Sequence, residues 1–231
     1  TQKLRSEGVS LGKIVVGGKD VKFENPDLRN LAMEVSIKKI ISHGDGEKTI
    51  VLIDCGAKRN IVRRLLSRGL KVVVVPWDTD VTQLNFPFDG VLISNGPGDP
   101  TRVKQTIKNV KKILAKKIPT LGICLGNQIL TLASGGSTFK LKFGHRSQNQ
   151  PVIENSTKKC YLTTQNHGFA VGAIPKGFKE WFHNANDKTN EGIIHDSEPF
   201  MSVQFHPESS PGPTDTDWVF DYFLKRAGII K

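Results

Sequence analysis

The 231-residue sequence lacks the features that mark secreted and membrane proteins. It has only three cysteines, too few for the dense disulfide framework of a small secreted domain. No apolar run approaches the about 20 residues that a membrane-spanning helix needs, and the first residues lack the apolar core of a signal peptide. These absences predict a protein of the reducing cytoplasm without a membrane segment.

Nucleic-acid-binding motifs are also missing, although the formal net charge is +11. The lysines of residues 102–117 share their segment with Val103, Ile107, Val110 and Leu114, which are spaced as one apolar helix face. No zinc-ligand spacing, RNA-binding aromatic pattern or P-loop accompanies them. We interpret the positive charge as solvated helix surface or as a match for an acidic protein partner, and we expect no nucleic acid.

From residue 49 onward, short apolar runs alternate with amphipathic segments. The apolar runs are TIVLIDCG, LKVVVVPWD, DGVLISNGPGDP and IPTLGIC. Continuous apolar runs of this length are typical of strands buried on both faces, and their alternation with helices is typical of right-handed crossovers. We predict an α/β fold with a mostly parallel, twisted sheet, helices on both faces, and a strand-rich half after residue 136.

Residues 1–48 do not follow this alternation. They end in the polar, glycine-rich segment SHGDGEK, which is typical of a loop. We predict a boundary at this point. Residues 1–48 would be the end of an earlier domain plus a linker, and residues 49–231 would form one domain.

The segment GICLG at residues 122–126 places a cysteine between a predicted strand and a predicted helix. The small residues Gly122 and Gly126 permit the sharp turn that holds a nucleophile above a sheet, and a helix N-terminus favours the thiolate. A buried structural cysteine is the alternative, and the flanking glycines argue against it. We therefore predict that Cys124 is a nucleophile, whereas Cys55 and Cys160 match no catalytic pattern and are interpreted as structural.

A thiol nucleophile needs a base. In SVQFHPE, His206 follows an apolar strand, and Glu208 lies two residues further on, where it can orient the imidazole. Oxyanion donors would come from the backbone N–H of Leu125, directly after the nucleophile, and from the NGPGDP loop, where Gly96 and Gly98 permit close approach to a ligand.

Together these motifs resemble those of class I glutamine amidotransferases, a Cys-His-Glu family that takes ammonia from glutamine. Within this family the sequence is similar to the small, glutaminase subunits of carbamoyl-phosphate synthases, over about residues 49–228. The segments that carry this likeness are DCGAKRNIVRRLLSRG, SNGPGDP, GICLGNQIL, FGHRSQNQPV, TTQNHGFAV and QFHPESSPGP. Residues 1–40 resemble the end of that subunit's N-terminal domain, most of which would lie outside this sequence.

The resemblance implies roles for particular residues. Cys124 would be the nucleophile, His206 the base and Glu208 its orienting carboxylate. Glutamine would be bound by Gly96, Gly98, Leu125, Gln128, Asn166, Gly168 and Phe169. One further contact would come from the part of the N-terminal domain that lies outside this sequence, so affinity for glutamine would be impaired. The sequence departs from the family pattern at two places. Asn127 stands where many members have histidine, and GHRSQNQP has fewer glycines and histidines than the bacterial form of this segment.

The resemblance also implies the partners. No metal or cofactor is expected in this chain. Ammonia would pass to a large synthetase subunit, which would use ATP, bicarbonate and Mg²⁺ to make carbamoyl phosphate for pyrimidine and arginine synthesis. Three alternatives stay open: a glutaminase subunit of another synthase, a non-catalytic glutamine-binding regulatory subunit, and a cysteine hydrolase of other amides or esters.

Overall fold

The computed structural model describes residues 1–231 and contains a ten-stranded sheet and six α-helices. The strands are β1 Ile41–His43, β2 Thr49–Asp54, β3 Lys71–Pro76, β4 Gly90–Ile93, β5 Thr120–Ile123, β6 Thr138–Glu154, β7 Cys160–Val171, β8 Phe178–Asn184, β9 Asn190–His195 and β10 Phe200–Val203. The helices are α1 Gln2–Glu7, α2 Leu31–Val35, α3 Arg59–Leu66, α4 Lys104–Ala115, α5 Leu125–Ala133 and α6 Trp218–Arg226. None of these helices combines the length and apolarity that crossing a membrane requires.

The strand order is β1-β3-β2-β4-β5-β10-β9-β7-β6-β8. Strands β3, β2, β4, β5 and β10 pair in parallel, and the remaining neighbours are antiparallel. The predicted α/β class with a large sheet is confirmed. The expectation of a mostly parallel sheet was too broad, because the residues after 136 form antiparallel pairs such as β6 with β7 and β8 with β9.

Alternate residues of β2 enter two different hydrophobic clusters, as the period of two in a strand requires. Ile50 and Leu52 share one cluster with side chains of α3 and α6. Val51 and Ile53 share the other with side chains of α4 and α5. The carboxyl ends of the parallel strands therefore form an edge that is supported by packed helices, and in such sheets ligands bind at this edge.

In the N-terminal segment, residues 41–43 form the edge strand β1, and the residues before it contact other parts of the sheet. Among residues 1–48 only Gly8, Ala32 and Ser36 are buried. The segment is nevertheless attached at defined points, since the N–H of Val9 donates to the carbonyl of Lys142 on β6 at 3.2 Å. The segment therefore follows the sheet edge without adding much to the core.

Candidate active site

Cys124 occupies the turn between β5 and α5 in a strained backbone conformation, with φ 54° and ψ −101°. A Cβ on Gly122 would lie 2.5 Å from the carbonyl oxygen of Gly126, and a Cβ on Gly126 would lie 2.1 Å from that of Ile93. No larger residue fits at either position without moving backbone. A non-glycine residue at this φ costs about 1–3 kcal/mol and persists only where its surroundings impose it, so the packing around the turn holds the cysteine at the sheet edge.

His206 is held between Cys124 and Glu208. Its Nδ1 lies 2.7 Å from Glu208 Oε1, and its backbone N–H donates to the carbonyl of Thr164 at 3.0 Å. Burial by itself would lower the pKa of His206, but the adjacent Cys124 sulfur and the Glu208 carboxylate raise it to about 10. This favours a charged imidazolium beside the sulfur.

Glu208 is fully buried and has a second cationic partner that the sequence reasoning missed. Lys58 Nζ lies 3.0 Å from Glu208 Oε1 and donates to the carbonyl of Ser209 at 2.6 Å. Burial tends to raise the pKa of Glu208, but His206 and Lys58 together lower it, so the carboxylate stays charged. Asn60 donates from Nδ2 to the backbone carbonyl of Glu208. Both partners lie in the AKRN motif, which marked the resemblance but suggested no role.

Two adjoining cavities, of about 570 and 690 Å³, meet at Cys124. The first is lined by most of the residues that the resemblance marked for glutamine binding: Gly96, Gly98, Gln128, Asn166, Gly168 and Phe169. The second contains His206. Glu208 lines neither cavity, because it lies behind His206. The structure thus brings the sequence-predicted residues together around one sulfur.

Two backbone amides beside the cavities are candidates for the oxyanion donors that the sequence predicted. Leu125 is the first residue of α5, and the first N–H groups of a helix have no intrahelical acceptor. The N–H of Gly96 makes no backbone hydrogen bond. A Cβ on Gly96 would lie 2.2 Å from the carbonyl oxygen of Cys55, so only glycine brings the backbone this close.

Gln128 connects α5 to β7. Its Nε2 donates to the carbonyl oxygen of Phe169 at 2.8 Å and to Gln204 Oε1 at 3.1 Å. The neighbouring Asn127 is fully buried and lines neither cavity. Asparagine in place of the family's usual histidine at residue 127 therefore changes the packing behind Cys124 and leaves the cavity walls unchanged.

The structure adds residues to the cavity that no sequence pattern indicated. Val9, Ser10 and Leu11 line the first cavity, and so does Asp27, although residues 1–48 were assigned to another domain. Arg146 lines both cavities and supplies a cation suited to a carboxylate. Residues 9–11 and Asp27 lie outside the α-helices and strands, and Arg146 is one residue within the long strand β6. No repeating sequence pattern marks them as cavity residues, so only the three-dimensional structure identifies them.

A buried polar cluster lies beside β7. His145 contacts Glu191 Oε1 at 3.2 Å through Nδ1 and Asp187 Oδ2 at 2.8 Å through Nε2. The hydrogen bonds to Glu191 and Asp187 raise the pKa of His145 to about 9, whereas burial lowers that of His167 to about 3. His145, His167 and Glu191 bring potential ligand atoms within 4.8 Å of one another. Their ring nitrogens are already hydrogen-bonded, which favours a proton-sharing network that braces β7.

Comparison with known proteins agrees with this arrangement. Residues 51–226 match the family described as glutamine amidotransferase class-I. The chain belongs to this family. This amidotransferase chain is 49% identical over 239 residues to the multifunctional protein CAD of Squalus acanthias, covering 100% of the chain and 11% of that protein. It is 45% identical over 243 residues to the carbamoyl phosphate synthase small chain of Methanopyrus kandleri, covering 97% of the chain and 66% of that protein.

A solved structure supports the fold. The glutamine amidotransferase of Thermotoga maritima superposes with a TM-score of 0.59 at 20% identity, covering 80% of this chain and 87% of that one. At this identity the likeness concerns the fold alone. The chain spans about a tenth of the CAD protein and about two thirds of the archaeal small chain.

Proposed function

We propose that this chain is the glutaminase part of a carbamoyl-phosphate synthase and hydrolyses L-glutamine to glutamate and ammonia through a thioester on Cys124. The observation that carries the proposal is the position of His206, which lies between a buried carboxylate and a cysteine held at a strained turn on a cavity. A protein that only binds glutamine needs no such pair of charged groups beside the sulfur.

In the acylation step, the Cys124 thiolate attacks the carboxamide carbon of glutamine, and the new S–C bond moves negative charge onto the carbonyl oxygen. The N–H groups of Gly96 and Leu125 receive this oxyanion, and one such donor is worth about 3–4 kcal/mol. The His206 imidazolium then gives its Nε2 proton to the departing nitrogen. The C–N bond breaks, ammonia leaves, and a glutamyl thioester remains beside a neutral imidazole.

In the deacylation step, water attacks the thioester carbon while His206 Nε2 takes its proton. The C–S bond breaks, glutamate leaves, and the thiolate–imidazolium pair is restored. Glu208 accepts from Nδ1 throughout at 2.7 Å, which keeps Nε2 free for both proton transfers. The balance of atoms requires only glutamine and water in this half-reaction.

The glutamine backbone groups would be held in the first cavity. Arg146 offers charge for the α-carboxylate, and Asp27 and Asn166 offer acceptors for the α-ammonium. Phe169 would contribute contact through the rest of its residue. Gln128 fixes the Phe169 carbonyl at 2.8 Å. Gly98 and Gly168 leave room for the ligand beside these polar groups.

The ammonia would be used by a large synthetase that requires ATP, bicarbonate and Mg²⁺ to form carbamoyl phosphate, for pyrimidine or arginine synthesis. The small-chain name of one relative implies a separate synthetase partner, and the multifunctional name of another implies fusion in one polypeptide. Both relatives are about half identical to this chain, which supports the same destination for its ammonia.

The proposal includes a division of the chain and a location. Residues 49–231 would form the amidotransferase domain, with helices on both faces of its parallel strands, and residues 1–48 would be the end of an N-terminal domain plus a linker. The family match to residues 51–226 and the low burial of the N-terminal segment support this division, in which the linker adds β1 to the edge of the sheet beside β3. The three free thiols support a reducing compartment such as the cytoplasm.

Ammonia release from glutamine tests the proposal, measured for the wild type and Cys124→Ser, each with and without a carbamoyl-phosphate synthase large subunit. We expect release that requires Cys124 and increases with that subunit. Cys124-dependent release that the subunit leaves unchanged would indicate another synthase. No release in any mixture would contradict glutaminase activity and favour a glutamine-binding regulatory role, and turnover of other amides or esters alone would indicate a different hydrolase.

A further inference from the structure

A second polar side chain approaches the nucleophile from inside the protein. Gln204, directly after β10, is fully buried, and its Nε2 lies 3.7 Å from Cys124 Sγ. It belongs neither to the Cys-His-Glu set nor to the cavity walls. His206 and Gln204 are therefore two separate donors to one sulfur.

The orientation of this amide follows from its neighbours. The carbonyl oxygen of Phe169 can only accept a hydrogen bond, so the Gln128 group that faces it at 2.8 Å must be NH₂. The same Gln128 NH₂ lies 3.1 Å from Gln204, so the Gln204 atom that faces it must be oxygen. Asn127 Nδ2 donates to this same oxygen at 3.1 Å. The remaining Gln204 NH₂ must therefore point at the sulfur, which removes the usual ambiguity of an amide side chain.

Gln204 and Cys124 are both buried, and this makes the contact between them energetically important. A buried amide is costly unless its donors and acceptors are used, and an aliphatic residue would fill the same space without that cost. Cys124 is only 4% exposed, so its thiolate also loses water. A neutral thiol accepts hydrogen bonds weakly, but a thiolate accepts them strongly, so a fixed N–H donor favours the charged form.

We propose that Gln204 is a further catalytic residue of the proposed glutaminase reaction: its amide N–H donates to the Cys124 thiolate, stabilises it and aims it at the substrate cavity. Asn127 is then a positioning residue that acts through Gln204. This gives a role to the asparagine at residue 127. Its Nδ2 donates to the Gln204 oxygen, and its Oδ1 accepts from the Ser202 hydroxyl at 2.7 Å.

Two substitutions separate the sulfur contact from the support beneath it. Gln204→Glu keeps the acceptor for Asn127 and Gln128 but replaces the donor to sulfur with a carboxylate oxygen. Gln204→Met removes both. Gln105→Met, at an exposed glutamine on α4, is the matched control. The readout is the rate at which iodoacetamide alkylates Cys124, followed by mass spectrometry from about pH 6 to about pH 9, together with kcat and KM for ammonia release.

We expect both Gln204 variants to be alkylated about tenfold more slowly near neutral pH, as loss of ~1.4 kcal/mol of thiolate stabilisation requires. Their rates should approach that of the wild type at high pH, where the thiol ionises without help. We also expect a lower kcat at similar KM. A folded Gln204→Met with the alkylation profile of the wild type would overturn the proposal. An alkylation rate that is lower by the same factor at every pH would also overturn it.

If neither variant folds, as judged by circular dichroism, the role of Gln204 is stability alone and the proposal is wrong. The inference rests on the proposed function only for the kinetic readout. Alkylation needs no glutamine, so a wild type that releases no ammonia would refute the function, while the alkylation profile would still decide the role of Gln204.

Discussion

The charge of Glu208 can be removed while its hydrogen-bond geometry is preserved. In Glu208→Gln, Lys58 Nζ still requires an acceptor at the Oε1 position, from which it lies 3.0 Å away. The new amide should therefore place its oxygen there, and this oxygen also accepts from His206 Nδ1. The His206 tautomer is kept, and only the negative charge is lost.

The size of the effect follows from the interaction removed. Hydrogen bonds to charged groups contribute about 1.5–3 kcal/mol, and about 1.4 kcal/mol corresponds to a factor of ten. We expect kcat for glutamate formation to fall by about 10- to 150-fold. KM should change little, because Glu208 lines neither cavity. Lys58 and His206 would lose their buried counter-charge, so the free energy of unfolding should also fall by about 1–3 kcal/mol.

The double variant Lys58→Met/Glu208→Gln tests the reasoning. Without Lys58 the amide is free to rotate and to present NH₂ to His206 Nδ1, which imposes the wrong tautomer. We expect its loss of kcat to exceed the product of the losses in the two single variants, measured by initial rates at saturating glutamine on proteins shown to be folded. A double variant no slower than Glu208→Gln would refute this account of Lys58, and a single Glu208→Gln variant within twofold of the wild type would refute the electrostatic role of Glu208.

Two other predictions concern stability. Gly126→Ala would place a Cβ 2.1 Å from a backbone oxygen, so its free energy of unfolding in urea should fall by about 1–3 kcal/mol, whereas Gly12→Ala, with open space around it, should not change measurably. Hydrogen bonds to Glu191 and Asp187 raise the pKa of His145 to about 9. This stabilisation is complete below its unfolded pKa of about 6.5 and disappears as pH rises through about 9. The urea midpoint of the wild type should therefore fall over that range, and that of His145→Gln should fall less; equal slopes would contradict the assignment.

The sequence was informative where local pattern and chemistry coincide. The buried strands β2 to β5 could be predicted from their apolar runs. The segment GICLG contains, within five residues, the two glycines that the sharp turn at Cys124 requires. His206 and Glu208 are close in sequence, so their pairing could be predicted from spacing. Gly96 and Gly98 follow β4, and Leu125 and Gln128 lie in the first turn of α5, so their meeting at one edge of the sheet could be predicted. Asn166, Gly168 and Phe169 lie within β7, and their place beside this edge follows from strand pairing that the sequence does not show.

Long-range pairing was not predictable in the same way. Nothing in the sequence of β10 shows that it lies between β5 and β9, which is the position that brings Gln204 beneath Cys124 and His206 beside it. Lys58 is about 150 residues from Glu208 along the chain, and a lysine before a helix is usually solvated. The cavity contribution of residues 9–11 depends on one backbone contact to β6 and has no periodic pattern.

The most direct test of the central claim is detection of the covalent intermediate. The protein would be mixed with excess L-glutamine, quenched in acid, digested, and analysed by mass spectrometry for a glutamyl adduct. We predict the adduct on the peptide that contains Cys124 and none on the peptide that contains the exposed thiol Cys160, which serves as an internal control. Release of ammonia without any adduct on Cys124, or an adduct on Cys160 alone, would contradict the account.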